Sequence, residues 1–489
     1  MFMYRLAKFI VIFLLCTTAC LVLAANKISK VKILEHSIPT YSLQNIDDIL
    51  NNYASNAEVG IIVKSMDSGT VLYAHNPNNF FMPASTLKVL TAITALSYLG
   101  DNFTFVTKVV SNSQYINNGI LNSDIYIHFD GDPTLTKENV EQLIATLTKL
   151  GVQNINGNVY IDDYTFDQKK YGRGWMWDEL NLCYAAPTTG VIINKNCFWL
   201  QLSPSSEGEI AKITKAEDYP LIQSYSAVLT KSLEHSSDCP LDIRVSDNNE
   251  YYLSGCIKPQ SIPVNLHIAI NNPRVYAQKL ITSLLQKYSI NITGKIGFAP
   301  TKQTGYILSS HTSLPLNQLV KKMLKHSDNL IADSLYKKMA AYYFDKTGTW
   351  INGNKAMKQI LIKNAAIELN KAKIYDGSGL SRYNLISPEQ MMELLTFAFN
   401  NTAINNVFIT SLPISGIDGS LRWRMRNKEM QKRIHAKTGT MTGISSLAGY
   451  VDTISHKKIA FVIIFNSFPE SHRKYAKIED KICEILVEL

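Results

Sequence analysis

The sequence predicts an α+β fold: an outer domain assembled from both ends of the chain and interrupted by a long β-rich insert. Three observations point there. Strand-like runs joined by turn residues occur near the start and again near the end of the 489 residues. An all-helical block precedes the second pair. Residues 100–265 carry short β-like runs among many Asn and Asp. Strands from both ends can pair in one sheet with helices packed against it.

The composition is that of a folded protein, 46% hydrophobic and 18% charged, which excludes disordered and collagen-like chains. The length exceeds what one core holds, so more than one domain is expected. The formal charge of +9 is spread thinly, with no long basic run, so no nucleic-acid partner is expected. Attraction to an acidic polymer or surface is allowed.

Residues 1–25 differ from the rest. Arg5 and Lys8 precede an uncharged stretch, residues 9–25, that ends in Ala24-Ala25. This reads as a secretory signal peptide and implies export to the periplasm. A retained anchor is the weaker alternative, because the run is short for a membrane span. Cys16 and Cys20 lack a lipid-attachment context. Beyond residue 25 lie Cys183, Cys197, Cys239, Cys256 and Cys483. Export permits disulfides, and Cys239/Cys256 and Cys183/Cys197 each bracket a short polar segment. No cysteine or histidine spacing matches a metal site.

Residues 58–64 read as a strand, Asp67-Ser68-Gly69 as a turn and residues 71–74 as the returning strand. After Pro83-Ala84, an apolar periodic run reads as a helix starting at Ser85 and ending at residue 99. The insert contributes strands at 104–110, 125–129 and 158–161. Helical periodicity returns at 274–287, dominates 316–344 and recurs at 355–370. Ser387-Pro388-Glu389-Gln390 is a helix start. Residues 444–452 and 458–465 read as strands, and 478–489 as a closing helix. The predicted domains are therefore 26–99 with 266–489 for the outer domain, and 100–265 for an insert of two domains.

Three short motifs could carry chemistry together. In Ser85-Thr86-Leu87-Lys88, a helix start places the hydroxyl and the amine on one face. A serine needs a base to attack, and a lysine serves once burial or neighbouring cations lower its pKa. Ser-x-x-Lys also begins at Ser29, Ser334, Ser455 and Ser471. Only Ser85 follows a strand pair and opens an apolar helix; by itself it would pass for a helix cap. Ser327-Asp328-Asn329 falls between two helical runs, where caps also sit, yet it can project a hydroxyl and an amide into a cleft. Lys437-Thr438-Gly439-Thr440 adjoins a strand and offers a cation, two hydroxyls and close backbone approach to a carboxylate substrate. A second Lys-Thr-Gly-Thr, residues 346–349, is not followed by a strand and reads as a helix-ending turn.

Taken in this order, the set resembles the active-site signature of penicillin-binding proteins and serine β-lactamases. The long gap from residue 85 to 327, then the shorter one to 437, is similar to the low-molecular-mass class C penicillin-binding proteins. These are D-alanyl-D-alanine carboxypeptidases/endopeptidases with domains inserted after the first motif. Gly131-Asp132-Pro133, Trp175-Met176-Trp177-Asp178, the stretch from Asp376 to Arg382, Ser411-Leu412-Pro413, Gly416-Ile417-Asp418-Gly419 and the run from Lys437 to Tyr450 add to the resemblance. It implies a transpeptidase-type domain, an antiparallel sheet with helices on both faces plus an all-helical lobe.

The resemblance also implies roles. Ser85 would be the acylated nucleophile and Lys88 its base. Ser327 would pass the proton to the leaving D-alanine near Lys437. Asn329 would hold the substrate peptide, and Thr438, Gly439 and Thr440 would receive its terminal carboxylate. The N–H groups of Ser85 and Thr440 would form the oxyanion hole, while Asp178 and Arg382 would recognise a diaminopimelate side chain. The expected partners are peptidoglycan peptide stems and β-lactams, without cofactor; peripheral membrane association stays open. The alternatives are a serine β-lactamase, which the large insert disfavours, and a non-catalytic cell-wall binding or sensor protein, which would have no need of Lys88.

Overall fold

Two mainly apolar runs, Ile444–Asp452 and Lys458–Asn466, become neighbouring inner strands of a five-stranded sheet. Only Asp452 and Lys458 of these residues escape burial, as expected of strands covered on both faces. The computed structural model describes residues 40–216, 218, 220–232, 238–299 and 304–489. The predicted signal peptide and Ser29 lie outside the described residues. The chain divides into Met1–Gln44 and a compact unit, Asn45–Leu489, and the second unit holds all the sheets.

The order of the five-stranded sheet is Val71–His75, Glu58–Ser65, Lys458–Asn466, Ile444–Asp452, Ile434–Met441, antiparallel throughout. Strands from the two ends therefore meet, with Glu58 opposite Asn466 and Ser65 opposite Ile459. One face packs on the helices Leu87–Leu99 and Pro388–Asn400, through Ile62, Tyr450, Val462 and Ile464. The other is covered by His472–Glu488, whose Tyr475 ring lies 5.4 Å from that of Phe465. Leu316–His326, Asn329–Phe344 and Trp350–Ala365 pack with Leu87–Leu99 in the same core.

Among the elements that differ from expectation, three do so at a cap. The helix expected at 355–370 is Trp350–Ala365, started by Thr349, whose hydroxyl accepts from the Asn352 N–H. The second Lys-Thr-Gly-Thr thus opens a helix rather than only ending one. The closing helix begins at His472, capped by Ser471. Within the insert, a Thr136/Asn139 capping box starts a helix, Lys137–Lys149, in a stretch expected to be β-rich. In the first two the expected start fell inside the helix and in the third the helix was missed, because a cap is a local signal that periodicity alone does not register.

The insert's largest sheet runs Ile296–Phe298, Val159–Asp162, Ile125–His128, Val106–Ser111, Tyr306–Thr312. Its last strand and the helix Pro273–Lys287 share strands or core with residues 106–257. Pairing thus crosses the boundary expected at residue 265, because an edge strand contributed from later in the chain completes the sheet. Disulfides join Cys183 to Cys197 and Cys239 to Cys256, the two expected pairs. Cys483 is free and buried.

Candidate active site

Ser85 sits in a 3₁₀ turn, Ala84–Thr86, that runs directly into Leu87–Leu99. Its side chain caps nothing. The preceding Ala84 is fully buried and held at φ +47°, a conformation that costs an L-residue roughly 1–2 kcal/mol. Two glycines fix the turn. A Cβ on Gly379, itself at φ +85°, would lie 1.9 Å from the Ala84 carbonyl oxygen. One on Gly439 would lie 2.2 Å from Ser446 Oγ, 2.7 Å from the Pro83 carbonyl and 3.1 Å from the Ser85 nitrogen. The Ser446 hydroxyl donates to the Pro83 carbonyl at 2.7 Å. The edge strand Ile434–Met441 is thus pressed against the Ser85 turn, and only glycine allows it.

Lys88, one turn on, has no exposed surface. Its Nζ lies 2.9 Å from Ser85 Oγ, 2.6 Å from Asn329 Oδ1 and 2.7 Å from the Ser378 carbonyl oxygen. Two of these partners can only accept. A neutral amine has two N–H groups for them and one lone pair left, which faces the serine hydroxyl. Burial pulls the Lys88 amine down to about 8, against the opposing field of Asp333, Asp376 and Asp328. Burial, rather than the mutual repulsion of two lysines, is therefore the main cause. Lys437, also fully buried, is held well below the ordinary lysine range by burial first and by Lys88 second. Its Nζ donates to the Thr438 carbonyl at 2.7 Å.

Ser327 ends Leu316–His326 in the left-handed region, at φ +57°. The cap of the next helix is Asp328, which accepts from the Ile331 N–H; Ser327 is left facing the cleft. Asn329 is the first helical residue, and its Nδ2 donates 2.8 Å to the Tyr184 carbonyl. That bond turns Oδ1 toward Lys88 and brings the insert into the site.

The cleft measures about 600 Å³ and is lined by Ser85, Ser327, Asn329, Arg382 and Thr440, among others. Lys88, Lys437 and Gly439 lie buried beside it. Thr438 Oγ1 donates to Ser420 Oγ at 2.7 Å, and Arg382 donates to the Thr442 carbonyl at 3.2 Å. Asp178 does not line the cleft: it is exposed, and its neighbour Glu179 lines the cleft instead. Both belong to the 3₁₀ turn Trp177–Glu179, where successive side chains diverge by about a third of a turn.

Two carboxylates of the site have roles that sequence reasoning did not assign, although Asp376 opens a stretch already quoted for the family resemblance. The Asp376 carboxylate accepts from the Gly379 and Ser381 N–H groups, Asn384 Nδ2 and Trp175 Nε1, and so organises the loop that buttresses Ala84. Asp333 accepts from the Gly377 and Ser378 N–H groups, and burial pushes its carboxyl well up. It stands four positions after Asn329, on the same helix face, a signal that was legible. The competing Ser-x-x-Lys sites are accounted for elsewhere. Lys337 pairs with Asp167, Ser455 bonds the Leu489 carbonyl and Ser471 is a cap.

A serine hydroxyl, a buried amine held near neutrality and a second buried lysine beside an edge strand form the equipment of a serine acyl-transfer hydrolase. The family model for D-Ala-D-Ala carboxypeptidase 3 (S13) matches residues 42–489, and the chain belongs to that family. It is 35% identical over 435 residues to the D-alanyl-D-alanine carboxypeptidase DacB of Haemophilus influenzae, covering 88% of this chain and 90% of that one. A D-alanyl-D-alanine carboxypeptidase of Actinomadura sp. is 28% identical over 444 residues, covering 86% and 80%. The crystal structure of penicillin-binding protein 4 (dacB) from Haemophilus influenzae superposes with a TM-score of 0.86 at 33% identity, covering 91% of this chain and all of that one. The same protein complexed with a β-lactam gives 0.81 at 32% identity and the same coverage.

Proposed function

We propose that the chain is an exported serine D,D-peptidase that hydrolyses D-Ala-D-Ala and D-Ala–diaminopimelate bonds of peptidoglycan, and that penicillins acylate the same serine. The observation that carries this is the position of Lys88 Nζ between Ser85 Oγ and two obligate acceptors. As Ser85 Oγ attacks the scissile carbonyl carbon, its proton passes to the Lys88 lone pair. The oxyanion is received by the N–H groups of Ser85 and Thr440; losing one such donor costs about 10²–10³-fold in rate. Collapse breaks the C–N bond, and the departing amine takes a proton through the Ser327 hydroxyl, beside Lys437. Water then cleaves the acyl ester by the same route in reverse.

Thr438 and Thr440 receive the terminal carboxylate. Arg382 recognises the diaminopimelate side chain, with Glu179 taking the acidic role first assigned to Asp178. Two disulfides favour an oxidising compartment and thus the periplasm. The test is incubation of purified protein with penicillin, followed by peptide mass analysis. The expected adduct is on Ser85 and persists for minutes; an adduct on another residue, or none, overturns the proposal. Rapid release of hydrolysed penicillin would instead mark a β-lactamase.

A further inference from the structure

Beyond Thr438 the chain builds a small platform. The Asp418 carboxylate binds Lys325 Nζ at 2.8 Å and the Ile414 N–H at 3.0 Å. This fixes the turn Gly419–Leu421, whose Ser420 accepts from Thr438. Leu421 is buried, and Met425 is buried in a left-handed conformation. Arg424 points inward to Glu479 and Asp480, at 2.8 and 2.7 Å. Three residues are left facing outward on this rigid base: Arg422, Trp423 and Arg426. Trp423 is 73% exposed. The guanidinium carbons of Arg422 and Arg426 lie 5.6 and 5.2 Å from its ring centre. Among the described residues neither arginine has an ion-pair partner, whereas Arg424 between them has two. Residues 422–433 hold six cations against one acid, Glu429.

We infer that Arg422, Trp423 and Arg426 bind the second strand of a cross-linked substrate, on the leaving-group side of the scissile bond. The inference rests on the proposed function, which places the carboxylate of the leaving D-amino acid against Thr438 and Thr440. Trp423 is three residues from Ser420, so its Cα is within about 11 Å of that residue's. A leaving D-alanine ends at Thr438 and does not reach the platform. A leaving diaminopimelate carries a further peptide stem and glycan, with carboxylates for the arginines and apolar sugar faces for the indole. The platform therefore separates endopeptidase from carboxypeptidase substrates.

The test compares a cross-linked muropeptide dimer with an uncross-linked pentapeptide. With Arg422→Ala, Trp423→Ala and Arg426→Ala combined, kcat/KM on the dimer should fall about tenfold, equivalent to about 1.4 kcal/mol, through KM. Pentapeptide turnover and penicillin acylation should change less than about twofold. The milder pair Arg422→Gln with Arg426→Gln should remove the salt dependence of dimer cleavage while keeping the indole. Equal dimer cleavage by wild type and both variants overturns the inference. So does a parallel loss on both substrates, and so does unchanged dimer cleavage with lost binding to anionic phospholipid vesicles, which would make the platform a membrane contact. Wild-type protein that penicillin never acylates would sink the underlying function instead, a result independent of the variants.

Discussion

Replacing Lys88 by arginine keeps a cation in place but removes its capacity to give up a proton, since a guanidinium stays charged throughout the working pH range. The amine it replaces is held at about 8 by burial, against an ordinary 10.5. At pH 7 roughly one amine in ten is then neutral, against about one in three thousand for an unperturbed lysine, a gain of ~300-fold in available base. In free energy the shift is worth about 3 kcal/mol. A positioned general base contributes about 10²–10⁴-fold, so Lys88→Arg should slow acylation of Ser85 by at least two orders of magnitude. The assay is stopped-flow or gel detection of a fluorescent penicillin. In the wild type the acylation rate should climb with pH and pass half-maximum near 8. The stability consequence has a fixed sign. The folded pKa lies below the unfolded one, so the unfolded chain binds more protons between about 8 and 10.5, and stability rises with pH across that window. A pH profile flat from about 6 to 9 would refute this role for Lys88. So would Lys88→Arg protein labelled as fast as wild type.

Gly439→Ala tests the contact between the edge strand and the Ser85 turn. Its Cβ would meet Ser446 Oγ at 2.2 Å and the Pro83 carbonyl at 2.7 Å, so penicillin labelling should be largely lost at a cost of about 1–3 kcal/mol in thermal stability; labelling at the wild-type rate would show that the turn yields freely. Protein lacking residues 1–25, denatured without reductant, should titrate a single thiol, Cys483. Reduction should expose the other four, and removing either bridge should cost about 3 kcal/mol.

Much of the scaffold was legible because it is written locally. The two buried inner strands announce themselves as mainly apolar runs, broken in the first only by Ser445 and Ser446, and the capping box Ser387/Gln390 marks its helix unaided. The same reasoning failed where an element is completed from a distance, as when Tyr306–Thr312 closes a sheet begun at Val106.

For the site, sequence order and spacing supplied the three motifs and their chemical types. Context singled out Ser85 among five Ser-x-x-Lys tetrapeptides, but what sets Lys88 apart from the equally buried Lys337 is spatial: its Nζ lies 2.9 Å from Ser85 Oγ beside the cleft, whereas Lys337 pairs with Asp167. That placement is produced by packing from the Asp376–Arg382 loop, the Asn329 helix and the edge strand, none of them adjacent in sequence. The same holds for the acid that faces the cleft. Asp178 and Glu179 are interchangeable on paper, and only the direction of a 3₁₀ turn brings Glu179 to the cleft. Residue identity, then, determined which reaction the chain could attempt. The tertiary structure decided which atoms attempt it, since proton affinity and direction in space belong to surroundings that a linear string does not specify.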